Sequence, residues 1–293
     1  MKKGRTGERL SYTIIVALLI ILCVVAIYPF WHVLMYSLSD SKKSMTGGLF
    51  LYPRSLSLLG YKALLNTEQI YIAYKNSVLS TAAGVFLSVL ITLMTAFAIA
   101  QPNLRGRKFF TTMIYITMLF SGGMIPTYLV VQSLGLLDSF PALFLPQLLS
   151  AYYIFVMRNA LQAIPSSLAE SAYIDGSGPF RTLFVIIFPV ATPTVAAIAM
   201  FYMVRYWNSY KECLLYINKP RLQVLQIYLR NMIAAASSME MTNGYISSQE
   251  QNMLSEETVK MTAVAISIIP VLIVYPFLQR FYTKGMVTGA VKG

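Results

Sequence analysis

The chain has 293 residues, of which 57% are hydrophobic and 12% charged, with a net charge of +12 and a mean hydropathy of +0.62. Soluble domains carry about twice that share of charge, so the composition is that of a membrane protein and excludes a disordered, collagen-like or disulfide-stapled chain. Two cysteines, Cys23 and Cys213, and a single histidine, His32, cannot build a histidine metal site, which argues against a zinc or haem enzyme.

A membrane-crossing helix takes about 20 mostly apolar residues, and six stretches free of Asp, Glu, Lys and Arg qualify: 10–39, 76–104, 109–137, 139–157, 182–204 and 261–279. An all-α protein with six transmembrane helices is therefore expected. Lys2, Lys3, Arg5 and Arg9 precede the first run, as in a signal peptide. That run is too long for one and lacks a small-residue cleavage pattern, so it reads as a retained helix. With an even number of crossings both termini share a side. Placing them in the cytoplasm gives the inner segments 12 Lys and Arg against 3 Asp and Glu, and the outer segments 11 against 8. The basic excess inside favours cytoplasmic termini, with Asp175 and Gly293 inside and Gln251 outside. The basic residues are scattered over loops beside membrane spans, which points to orientation and lipid headgroups rather than nucleic acid.

The third run is interrupted by Ser121-Gly122-Gly123-Met124-Ile125-Pro126. Pro141 and Pro146 sit in the fourth, Pro189 and Pro193 at the start of the fifth, and Pro270 and Pro276 in the sixth. Each proline removes a ladder hydrogen bond, and freed carbonyls must be buried in protein or line a water-filled cavity. Such a cluster suggests a translocation path, although Gly and Pro are common in membrane helices generally.

Between the fourth and fifth runs, Pro165-Ser166-Ser167 is a helix-start signal, Leu168 and Ala172 share a face, and Asp175-Gly176 marks a turn. A second helix then runs into the membrane. At the outer end of the fifth run Tyr202, Tyr206 and Tyr210 recur every four residues, with Arg205, Asn208 and Lys211 beside them. Aromatic rings, an amide and cations so placed could line a path for a polar or acidic solute. An interfacial aromatic belt with snorkelling cations uses the same residue types.

The inner loop resembles the signature of the permease subunits of binding-protein-dependent ABC importers: Glu-Ala-Ala, three residues, Gly, nine residues, then Ile, one residue, Leu-Pro. Glu170, Ala172, Gly176, Ile186 and Pro189 fall on that spacing, while Ser171 and Phe188 depart from it conservatively. The ending from Gln279 to Gly293, and Tyr206-Trp207-Asn208-Ser209-Tyr210 with Leu214-Leu215-Tyr216, are similar to carbohydrate permeases of the maltose class. The stretches 47–53 and 121–129 look most like a sub-branch handling large or acidic oligosaccharides, such as alginate or pectin fragments.

The resemblance implies a type I ABC importer permease fold with a short cytoplasmic coupling helix. It divides the chain into a cytoplasmic tail (1–9), a first transmembrane helix with outer loop (10–72), a five-helix transmembrane domain (73–282) containing the coupling loop (158–181), and a C-terminal tail (283–293). It implies a multi-pass protein of the bacterial cytoplasmic membrane with no catalytic site. Its partners would be a homologous second permease, two ATP-binding subunits holding the ATP and magnesium, an extracytoplasmic solute-binding protein and an oligosaccharide. The chain itself has no G-x-x-x-x-G-K-[ST] phosphate loop. Glu170, Ser171, Ala172, Asp175, Gly176 and Pro189 would form the coupling element, with Gly176 permitting the tight turn and Glu170 anchoring the loop. A secondary transporter or an ABC permease for a non-sugar solute would share the apolar runs. The former usually needs an ionisable residue at mid-membrane for ion coupling, and the six runs contain no Asp, Glu, Lys or Arg.

Overall fold

The computed structural model of the chain describes residues 4–238 and 255–290. Among them the regular structure is helical: α1 (Gly4–Ser37), α2 (Ser41–Ser44), α3 (Leu59–Leu65), α4 (Glu68–Ala100), α5 (Arg107–Leu119), α6 (Met124–Ser133), α7 (Ala151–Gln162), α8 (Ser166–Ile174), α9 (Pro179–Trp207), α10 (Tyr210–Tyr216), α11 (Leu225–Ser238) and α12 (Glu256–Ala290). Gln251 and Gly293, expected from the sequence on opposite sides of the membrane, lie outside the described residues.

Four helical stretches are long and apolar enough to cross a membrane alone: Ser11–Ser37, Glu68–Ala100, Pro179–Trp207 and Glu256–Phe277. The other two expected runs form bent pairs. The third is broken between α5 and α6 by 118°, and the fourth bends by 60° between Phe140–Gln147 and α7. The third run contains α5, which has 13 residues and spans about 20 Å at 1.5 Å per residue, short of a bilayer core by itself. Its break has a backbone cause: Phe120 is extended and Gly123 takes φ 87°, ψ 173°, a region essentially reserved for glycine. In the fourth run Pro141 and Pro146 each open a short 3-10 turn.

The prolines of the fifth and sixth runs do not break their helices. Pro193 lies inside α9, and Pro270 and Pro276 lie inside α12. A π-helical turn at Thr182–Ile187 directly precedes Pro189, and widening of this kind lets a helix absorb a residue that cannot donate its hydrogen bond.

The chain falls into two compact units. One holds the residues up to Glu68 with Leu229–Ile268. There the segment after α1 folds against the helix end: Trp31 Nε1 donates to the carbonyl of Leu51 at 2.9 Å, Asp40 caps α2 by accepting from the Lys42 and Lys43 amides, and the Arg54 guanidinium lies 4.4 Å over the Phe50 ring. Tyr36 donates to Glu257 at 3.1 Å, and Ser41 bonds Thr258 at 2.9 Å.

The other unit holds Gln69–Tyr228 and the residues from Ile269 onward. Its core packs Leu93, Phe97, Met157, Ile187, Ile198 and Tyr202 together. The face of α4 that enters this core carries Ser77, Thr81, Gly84, Ser88 and Thr92, all buried and spaced four, three, four and four apart. Small residues at helical spacing let membrane helices approach closely, and their hydroxyls act as interhelical donors and acceptors.

Candidate functional site

The loop between α7 and α9 has the geometry its sequence predicts. Pro165 sits at the N-cap of α8. At the other end Gly176 has φ 78°, its amide donates to the Tyr173 carbonyl at 3.1 Å, and the Ser177 amide donates to the Ala172 carbonyl at 2.8 Å. This pair of bonds is a Schellman ending, which satisfies two orphan carbonyls and requires a left-handed residue at the position Gly176 occupies. Pro179 then opens α9 in the first turn, where a missing N–H is no loss. Ala172 is buried, while Leu168, on the same side of α8, is exposed together with Tyr173, Ile174 and Phe180. Glu170, Ser171 and Asp175 are exposed as well. The Glu170 carboxylate makes no hydrogen bond or ion pair among the described residues; the turn is held by backbone capping and by the Thr182 hydroxyl donating to Ser177 Oγ at 3.3 Å. The result is a short helix and a rigid turn presenting apolar side chains outward. Pro189 lies further along α9, after the π turn.

At the opposite end of α9 the six expected residues separate into two sets. Tyr202 and Tyr206 are 0% and 4% exposed. The Tyr202 hydroxyl bonds Thr92 at 3.0 Å and accepts from the Ser150 amide at 3.2 Å. That of Tyr206 bonds Ser88 at 2.7 Å and reaches the carbonyls of Phe144 and Gln147 at 3.4 Å. The Tyr206 ring rests on Gly84, where an added Cβ would come within 2.7 Å of it. These two tyrosines therefore join α4, the bend of the fourth run and α9, and in this conformation they offer no surface to a ligand.

Arg205, Asn208, Tyr210 and Lys211 are exposed, Tyr210 and Lys211 on α10 beyond the end of α9. The Arg205 Nε donates to Gln147 Oε1 at 3.1 Å; Gln147 Nε2 donates to Ser209 Oγ at 2.8 Å; and Ser209 donates to Glu212 Oε2 at 2.7 Å. Asn208 Nδ2 turns back to the Val204 carbonyl at 2.8 Å.

The following loop is pinned to its own unit. Asp138 accepts from the amides of Asn218 and Lys219, Asn76 donates to the carbonyls of Arg221 and Gln223, and the Leu225 amide donates to Ser77. The amide of Asn218, the largest influence, holds the Asp138 carboxyl below its ordinary value; burial opposes it, and the Lys219 amide adds a lesser lowering effect. Gln147, Ser88, Thr92 and Gly84 escaped the sequence reading. A signal existed in each case: a side-chain amide inside an apolar run, and a small-residue stripe at helical spacing.

Residues 70–288 match the family model of the binding-protein-dependent transport system inner membrane component. The chain belongs to that family. It is thus a permease of the ABC transporter type, a multi-pass membrane protein rather than an enzyme family member. The chain is 37% identical over 286 residues to the polygalacturonan/rhamnogalacturonan transport system permease protein YtcP of Bacillus subtilis (strain 168), covering 98% of this chain and 99% of that one. Its fold matches a crystal structure of a bacterial ABC transporter involved in the import of the acidic polysaccharide alginate, with a TM-score of 0.84, 30% identity and coverage of 94% and 98%. A chain of a bacterial alginate ABC transporter in complex with an alginate pentasaccharide-bound periplasmic protein shares the fold at a TM-score of 0.60 and 15% identity, each chain covered to 94%. The permease family fixes the role of the scaffold, and the fold is the type I permease fold of the alginate importer.

Proposed function

We propose that this permease carries acidic, uronate-containing oligosaccharides inward across the bacterial cytoplasmic membrane, paired with a homologous permease. Both termini and the α8 loop face the cytoplasm, and a binding protein delivers sugar to the opposite side. The observation that carries the acidic reading is Arg205: an exposed guanidinium at the outer end of α9, with no carboxylate in ion-pair contact among the described residues. Lys211 follows it closely in the chain. The similarity to a polygalacturonan/rhamnogalacturonan permease and to an alginate importer supports the same substrate class.

In this reading ATP and magnesium are bound by two partner subunits, into which the exposed Leu168, Tyr173 and Ile174 of α8 dock. Glu170, Ser171, Ala172, Asp175, Gly176 and Pro189 belong to this coupling element. α9 joins the coupling loop to Arg205 in one continuous helix of 29 residues, about 43 Å long. Rigid-body movement of the loop is thereby transmitted to the outer mouth, which is what alternating access requires. Arg205, Asn208, Tyr210 and Lys211 line the sugar path, and Tyr202 and Tyr206 hold α9 against α4. We retain the division into tails 1–9 and 283–293, a first helix with outer loop (10–72) and a transmembrane domain (73–282).

The test is uptake by the assembled importer carrying Arg205→Gln and Lys211→Gln together. Transport of an oligogalacturonate should fall more than that of a neutral oligosaccharide of equal length, and the deficit should shrink with salt, since exposed charges are screened within about 10 Å at 0.1 M. Equal loss for both sugars would leave a generic sugar path.

A further inference from the structure

Arg205 is not merely exposed; it is oriented. Its Nε is bonded to the amide oxygen of Gln147, whose side chain is more than nine-tenths buried. Among the described residues the guanidinium makes no other hydrogen bond and no ion pair, so both terminal nitrogens remain available. The amide cannot turn over without presenting its NH2 group to the cation, and its own NH2 is committed to Ser209, whose hydroxyl in turn donates a hydrogen bond to Glu212. Every donor in the relay therefore points from Arg205 towards Glu212. The nearest carboxylate in the relay is separated from the guanidinium by a neutral amide and a hydroxyl. It orients the network without cancelling the positive charge.

The backbone of Gln147 is fixed too. It lies in the 3-10 turn Leu145–Gln147, its carbonyl receives the Tyr206 hydroxyl, and Tyr206 is seated on Gly84.

We propose that Gln147 is a positioning residue for substrate charge: it fixes the guanidinium plane of Arg205 so that the two terminal nitrogens form a fork for one uronate carboxylate. This rests on the acidic-oligosaccharide reading. A guanidinium engages a carboxylate best through two parallel N–H···O bonds. An Arg held at Nε presents the terminal pair already oriented, so less rotational freedom is lost on binding. A glutamine suits this role because a glutamate in its place would neutralise the cation.

The experiment uses the complete importer in lipid, with its partner permease, ATPase subunits and binding protein. The half-saturating concentrations of an oligogalacturonate and of a neutral oligosaccharide of equal length are measured by stimulated ATP hydrolysis. Arg205→Gln should raise the value for the anion about tenfold, the scale of one charge-assisted contact, and leave the neutral sugar within about twofold. Gln147→Glu should reproduce that pattern, and Gln147→Met, which keeps the bulk and loses the amide, should raise the anion value about threefold. In the Arg205→Gln background Gln147→Met should add nothing to the anion-to-neutral ratio, because its effect runs through Arg205.

If Arg205→Gln shifts the ratio and both Gln147 variants leave it unchanged, the positioning role is wrong and the acidic reading stands. If Arg205→Gln itself leaves the ratio unchanged, both fall. Equal loss for the two sugars in Gln147→Met, persisting in the double variant, would mark a purely structural residue and overturn the proposal. Should Gln147→Glu fail to assemble, Gln147→Met and the double variant decide the matter.

Discussion

Gly176 and Gly84 are glycines for different reasons, and each reason makes its own prediction. At Gly176 the backbone is left-handed with open space around the missing Cβ. Gly176→Val is therefore strained by conformation alone; insertion should survive, and uptake should fall several-fold as the α8 turn loosens. A normal uptake rate in a correctly inserted Gly176→Val importer would show that the turn does not couple. At Gly84 the limit is space, since the Tyr206 ring occupies the site of the side chain. Gly84→Val should cost about 1–3 kcal/mol, as overpacking does, read as a lower unfolding temperature of the purified complex. Tyr206→Phe, which leaves Ser88 without its partner, should cost about 1–2 kcal/mol by the same measurement. Asp138 sets a pH dependence. A carboxyl lowered in the folded protein stabilises above its unfolded value, here 3.8, and that stabilisation is lost only as the pH falls through the lower folded value. Anchoring of the 218–223 loop should thus be constant between about pH 5 and 8, testable by limited proteolysis; loosening within that window would contradict the assignment.

How much of each element was legible depends on the range of the forces that shape it. The α8 loop was readable because its determinants are local: Pro165 at the start, Gly176 at the end, and backbone bonds spanning five residues or fewer. The six apolar runs were readable because hydrophobic length alone marks them. The 118° break of the third run was visible as a glycine pair, but its angle was not, since it depends on the ψ that Gly123 adopts. The prolines misled at α9, where a π turn precedes Pro189, and at α12, which runs unbroken through Pro270 and Pro276. The tyrosines misled differently. Their four-residue spacing was right, yet Tyr202 and Tyr206 bond Thr92 and Ser88, 110 and 118 residues away, and no local pattern distinguishes a buried ring so tethered from one facing a sugar. Arg205 was legible as a cation near the membrane boundary, whereas its tie to Gln147 depends on folding the fourth run back onto the fifth.

For the whole molecule, the proposed topology is open to a clean chemical test. Cys213 is buried, and burial pushes its thiol up to about 11, so it should resist a maleimide at neutral pH. Cys23 lies within the apolar stretch Ser11–Ser37, out of reach of a membrane-impermeant reagent. A single Asp175→Cys variant should consequently label only from the cytoplasmic face; labelling from outside sealed cells would overturn the orientation. The family assignment makes this chain the permease of an ABC importer, and the contribution proposed for it is an outer mouth whose cation is displayed and oriented rather than paired. The most direct test of that claim needs no mutation. ATP hydrolysis by the wild-type importer, with its binding protein present, is compared for oligogalacturonate and for neutral oligosaccharides of the same length. Stimulation by the anion, with little or none from the neutral series, is the expected result; equal or greater stimulation by the neutral sugars would contradict it.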